Sequence, residues 1–143
     1  MRTLFDTSVV VAALVDQLGA HEAAFREFRR CSHGENTGCC STHALAEIYA
    51  TLTALPLARR ISPGEARRLI EETVLGRLAV IPLGSADYRA VLRQVGNQGL
   101  GSGAIYDALH AHCARKERVD QILTYNLSDF DRFDLEGILV AAP

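Results

Sequence analysis

The chain has 143 residues, a formal net charge of −2 and 48% hydrophobic residues. That size and apolar content fit one self-sufficient domain over 1–143 and exclude a chain disordered along its whole length. The near-neutral charge also excludes a protein that coats nucleic acid by bulk charge. The cations are fourteen Arg and one Lys; Arg favours forked contacts to phosphate or carboxylate, so local contact with nucleic acid stays open.

Met1–Phe5 reads as a short strand ending at Asp6, and Thr7–Val15 as an apolar helix. The apolar run Val9–Val15 lies between Asp6 and Asp16 and is far shorter than the ~20 residues of a membrane span. With only Arg2 positive ahead of it, it lacks the pattern of an export signal, so a cytoplasmic protein is expected. His21–Arg30 reads as a helix, Cys31–Gly38 as a polar turn and Cys39–Ser41 as a brief strand. Thr42–Leu55 follows as a helix with Leu45, Ile48, Leu52 and Leu55 on one stripe, stopped by Pro56. Ser62, Pro63 and Glu65 form a start signal for a helix that runs to Leu75 and ends at Gly76. Leu78–Leu83 is a strand, Ser85–Val95 a helix closed by Gly96, and Gly96–Gly103 a glycine-rich loop. Ser102 is expected to cap a helix reaching Glu117. Gln121–Thr124 is a strand, Asn126–Phe133 a turn of helical character and Gly137–Val140 a last strand. Strands alternating with helices predict a three-layer α/β/α fold around a short, mostly parallel sheet, whose ligands bind beyond the carboxyl ends of the strands.

The acids fall at such places. Asp6 directly follows the first strand, where it serves either as a ligand or as a helix cap. Glu47 is the only charged residue between Ser41 and Pro56, and a partly buried lone carboxylate needs a partner. Asp107 is equally solitary between Gly103 and Cys113. Asn126 and Asp129 lie just past the strand that ends at Thr124. Carboxylates that converge stay ionised together only around a cation. An oxygen-only set suits Mg²⁺ or Mn²⁺, and such sites cut phosphodiesters with a metal-activated water.

The segments LFDTSVVVAAL, STHALAEIYATLTAL, GSGAIYDALHAHCA and LTYNLSDF, in that order, resemble the PIN domain, and within it the VapC-type ribonuclease toxins of toxin–antitoxin modules. The resemblance covers essentially the whole chain. It implies a Mg²⁺-dependent endoribonuclease acting on structured RNA, a small cognate antitoxin and a homodimeric toxin. By position, Asp6, Glu47 and Asp107 fill the first three acidic places, with Asp6 and Asp107 the principal metal ligands. Ser8 matches a hydroxyl near the first acid and Thr124 one before the fourth. Many PIN domains carry Asp two residues after that Thr, where this chain has Asn126. The fourth place therefore lies between Asn126 and Asp129, and helical spacing favours Asp129. Two other readings compete: a PIN scaffold that binds RNA or a partner without cutting, and a Mg²⁺-binding regulatory α/β domain, which would want a paired acid near Asp6 and a Lys after the last strand.

Other features are set aside. Cys39, Cys40 and His43 lack a second half-site for zinc and read as small buried residues. His110 and His112 stand about 200° apart on a helix and cannot share an ion. His110, three residues after Asp107, and His43, one turn before Glu47, could each line the rim of the acidic site, but a packing or surface role is the favoured reading. The pairs Arg29–Arg30, Arg59–Arg60, Arg67–Arg68 and Arg115–Lys116 read as solvated faces, or as phosphate contacts around the acids.

Overall fold

The computed structural model describes residues 1–31 and 35–143. Within them, β1 (Arg2–Phe5), β2 (Thr37–Ser41), β3 (Ala79–Ile81), β4 (Gln121–Leu123) and β5 (Leu139–Ala141) form one sheet in the order β3-β2-β1-β4-β5. All four pairings are parallel, so the expected mostly parallel sheet is wholly parallel. The helices are α1 (Thr7–Leu14), α2 (His21–Arg30), α3 (Thr42–Ala54), α4 (Pro63–Leu69), α5 (Ser85–Asn97), α6 (Ala104–Glu117) and α7 (Leu127–Phe130).

Both faces of the sheet are covered, which is why its inner strands β2, β1 and β4 are buried almost throughout. Side chains alternate across β1 and β2. Phe5 and Cys40 enter one core with Val9, Phe28, Ile48 and Leu52, while Leu4 and Cys39 enter the other with Val91, Leu109, Ile122 and Phe130. Burial pushes the Cys39 thiol up to about 11 and the Cys40 thiol to about 12, as expected of small buried, unreactive cysteines. The backbone of β2 passes so close to its neighbours that a Cβ on Gly38 would stand 2.6 Å from Leu78 and 3.0 Å from Phe5.

Several expectations shift. The polar turn over Cys31–Gly38 falls partly outside the described residues, and its last two residues belong to β2. Ser62 does cap α4, its hydroxyl accepting from Glu65 N at 3.1 Å, but the helix passes into a π-helical turn over Ile70–Val74. Helix α5 continues through Gly96 to Asn97. Ser102 does not cap α6: it sits at φ 51°, and Gly103 is the residue before the helix. The strand expected over Gly137–Val140 begins two residues later, after a turn with Gly137 at φ 81°. His112 turns away from His110 and bonds Asp87 at 2.8 Å. That bond, the Gly84 N–H and Lys116 hold the Asp87 carboxyl well below the usual carboxylate range. The result fastens α5 to α6.

The chain lays down β1, β2 and β3 to one side and then returns to place β4 on the other side of β1. That reversal between β1 and β4 opens a crevice at their carboxyl ends, the usual seat of a ligand in an open parallel sheet. Asp6 follows β1 and Thr124 follows β4, so the two residues meet there.

Candidate active site

Asp6 occupies the residue before α1, yet its side chain makes no capping bond. Its carboxylate is held by two hydroxyls instead. Ser8 Oγ and Thr124 Oγ1 each donate to Oδ2 at 2.8 Å. Each hydroxyl also accepts a backbone N–H, Ser8 from Tyr125 at 3.1 Å and Thr124 from Asn126 at 3.0 Å. A hydroxyl has a single proton, so those acceptances fix both protons on Asp6. Oδ2 is saturated, while Oδ1 stands 3.7 Å from His110 Nε2.

His110 is completely buried at the centre of the site. Its Nε2 lies 2.8 Å from Glu47 Oε1 and its Nδ1 3.4 Å from Ser41 Oγ. Glu47 therefore has the partner its solitude demanded. His43, one helical turn earlier on α3, stands 3.4 Å from the same oxygen. Burial alone would depress the His110 imidazole; the Glu47 hydrogen bond and the charges of Asp6, Glu47 and Asp107 more than offset it, and the net shift is upward. His43 is depressed by burial, against the pull of Glu47.

Asp107 lies in the first turn of α6. Its carboxyl is pushed up to about 6, first by burial, then by Asp6, with Asp129 and Glu47 adding to the rise and His110 opposing it. Asp107 therefore lies within electrostatic reach of the other three acids singled out in the sequence. Arg132 faces two of them, with its guanidinium 3.6 Å from Asp107 Oδ2 and 3.9 Å from Asp129 Oδ1. Asn126 contributes differently. It is exposed, precedes α7, and uses its backbone N–H on Thr124.

Three of these groups are more central than the sequence suggests. His110 lies among the acids, bonded to Glu47 and close to Asp6, on the side its spacing of three from Asp107 allowed. His43 likewise lines the site. The cation at the acids is Arg132, outside the Arg pairs considered above. Members of those pairs are engaged away from the acids, Arg30 with Glu27, Arg59 with Glu65 and Arg67 with Glu71 nearby in sequence, and Lys116 with Asp87 of α5.

Among the described residues no three His, Cys, Asp or Glu side chains are spaced as a ready metal-ligand group. The donor chemistry nevertheless fits a hard cation. Oδ1 of Asp6 and the carboxylates of Asp107 and Asp129 are oxygen donors, and a divalent ion would favour the charged form that burial and the neighbouring acids disfavour at Asp107.

A parallel α/β/α domain with acids gathered at its switch point defines the class to which comparison assigns this chain. The PIN-domain family profile matches residues 3–135, and the chain belongs to that family. It is 34% identical over 135 residues to ribonuclease VapC27 of Mycobacterium tuberculosis, spanning 94% of this chain and 92% of that protein. It is 29% identical over 129 residues to ribonuclease VapC40 of the same species, with 90% of each covered. The fold superposes on VapBC2 of Rickettsia felis, solved with a promoter DNA fragment, at TM-score 0.67 and 18% identity over the whole of both chains. The sarcin–ricin loop cleaving toxin VapC20 of Mycobacterium tuberculosis gives TM-score 0.67 and 16% identity over 84% of this chain and 86% of that one.

Proposed function

We propose that this protein is a metal-dependent endoribonuclease, the toxin of a type II toxin–antitoxin pair, acting in the cytoplasm on structured RNA. The observation that carries the reading is the gathering of Asp6, Glu47, Asp107 and Asp129 at the carboxyl edge of the sheet, with Asp6 oriented by two hydroxyl donors. Its relatives named ribonuclease support the activity, and the sarcin–ricin loop named for VapC20 supports folded RNA as the substrate class. Among the described residues no helix is long and apolar enough to cross a membrane.

Asp6 and Asp107 would hold Mg²⁺ or Mn²⁺, with Glu47 and Asp129 completing the pocket. When bound, such an ion polarises a phosphate oxygen and acidifies a water. The protein's own residues set the stage for that chemistry. Ser8 and Thr124 orient Asp6, His110 fixes Glu47 against α6, and Arg132 offers a forked cation to phosphate at the rim. A site that binds RNA without cutting is the competing reading. Incubating the purified protein with total RNA decides between them: cleavage with Mg²⁺ and none in chelator is expected, and intact RNA under both conditions would favour the scaffold.

The fourth acidic role goes to Asp129, because it presses on Asp107 and shares Arg132 with it while Asn126 faces solvent. Asp129→Ala is expected to lower cleavage by about 10–100-fold, the scale of lost support at a metal site, and Asn126→Ala by less than about threefold. The opposite ranking at equal thermal stability would reassign the role to Asn126.

Assembly is the remaining part of the proposal. The solved structures of similar fold include a toxin–antitoxin complex from Klebsiella pneumoniae. A cognate small antitoxin inhibits this protein, and the free toxin is a homodimer. Mass measurement in solution is expected to give twice 15.6 kDa. A lone protomer at tens of micromolar would remove the dimer.

A further inference from the structure

Beside Glu47 runs a groove whose chemistry the hydrolytic site does not use. It is lined by His43, Ala46, Glu47, Ala50 and Thr51 of α3 and by Tyr106 of α6, and holds about 390 Å³. Tyr106 is 46% exposed, unusual for a ring so close to the candidate site. It is not a loose surface side chain. Its ring stacks on His43 with centroids 5.0 Å apart and planes 19° from parallel. His43 is held in turn by the Tyr88 hydroxyl, 3.3 Å from Nδ1. Ala46 and Ala50, one helical turn apart, keep the α3 wall low.

The electrostatics say which part of a nucleotide suits this groove. No Lys or Arg is among its lining residues, and Glu47 is an acid in its wall. A phosphate would meet repulsion without a cation. A neutral, planar base meets an aromatic face already ordered by stacking, so little side-chain freedom is lost when it binds. The groove shares Glu47 and His43 with the acidic pocket, so a base seated in it belongs to a nucleotide adjacent to the phosphate being cut.

We propose that this groove is a nucleobase subsite, in which a base flanking the scissile phosphate stacks on Tyr106. The inference rests on the ribonuclease reading. Because every base has a stacking face, the subsite positions the strand more than it selects a sequence.

Binding without cleavage tests it. The probes are a fluorescein-labelled twelve-residue oligoriboadenylate and a labelled abasic ribose-phosphate strand of the same length, titrated at constant salt into the Asp107→Asn protein. Adding Tyr106→Ala is expected to weaken the oligoriboadenylate by about 5–100-fold, the loss for one base–aromatic stack. Tyr106→Phe keeps affinity within about twofold, and the abasic strand binds weakly and equally to all three proteins. A thermal melt of each variant confirms folding. An unchanged Kd in Tyr106→Ala, equal weakening of the abasic strand, or no binding of either strand overturns the subsite. The two readings fail separately. A wild-type protein that cuts no RNA but shows the Tyr106 pattern loses the ribonuclease assignment and keeps the subsite. One that cuts RNA and ignores Tyr106→Ala loses the subsite alone.

Discussion

Asp107→Asn is expected to silence RNA cleavage and, in the same molecule, to stabilise the metal-free fold. The loss of activity follows from removing a charge that would hold the ion, worth several kcal/mol or about 10²–10⁴-fold in rate. The gain in stability follows from the carboxyl's position. An aspartate titrates near 3.9 in an unfolded chain, but burial and three neighbouring acids carry Asp107 up to about 6 in the fold. The folded state therefore binds more protons between those values, and stability falls as pH rises through that window. Below about pH 4 the penalty is absent; above about pH 6 it is complete. With its side chain 19% exposed, solvent screening trims the penalty to about 1–2 kcal/mol. Asparagine removes it, so the variant should melt above wild type at pH 8 and level with it at pH 4. Millimolar Mn²⁺ should raise the wild-type melting temperature and raise the variant's less. Near-native turnover at saturating Mg²⁺, or a variant less stable than wild type at pH 8, would refute this account of Asp107.

Asp6 should behave in the opposite sense. Its Oδ2 receives two hydroxyl protons that have no other acceptor, and Thr124 is wholly buried. Asp6→Asn can keep both bonds by turning its carbonyl oxygen towards Ser8 and Thr124. Its amide nitrogen then replaces Oδ1, a donor where a ligand is needed. Cleavage should fall by about 10²–10⁴-fold with the fold intact. Asp6→Ala cannot keep the bonds. It strands a buried hydroxyl proton and should cost about 1–3 kcal/mol of stability on top of the lost activity. Matched denaturant melts of the three proteins would show it. If Asp6→Ala were as stable as Asp6→Asn, the hydroxyl pair would not be bonding as described.

Asp6, Glu47 and Asp107 were legible because each is a lone acid in an apolar stretch, a local property of the sequence. The alternation of strands and helices was legible for the same reason, and so was Ser62, whose cap involves only the next three residues. What escaped depends on tertiary proximity. His110 reaches Glu47 across two helices, 63 residues apart in sequence. Arg132 reaches Asp107 only because α7 folds back beside α6. Ser102 misled because a serine before a helix is a cap only in extended backbone, and here the glycine-rich loop delivers it at positive φ. The role of Thr124 came from resemblance; its proton's destination came from the structure.

The hydroxyl that completes Asp6 arrives 118 residues after it. During synthesis at about 5–20 residues per second, about 6–24 s separate the two. Throughout that interval β1 lacks β4, one of its two flanking strands, and the carboxylate lacks the bond from Thr124. The four acids cannot be drawn together until β4 and α7 have docked, because Asp129 arrives with them. The proposed cleavage therefore becomes possible only once β4 and α7 have docked against the rest of the sheet. Any truncation before Gln121 removes a central strand and the orientation of Asp6 together. Such fragments are expected to be both unfolded and inert, because the orientation of Asp6 and the closure of the sheet depend on the same segment.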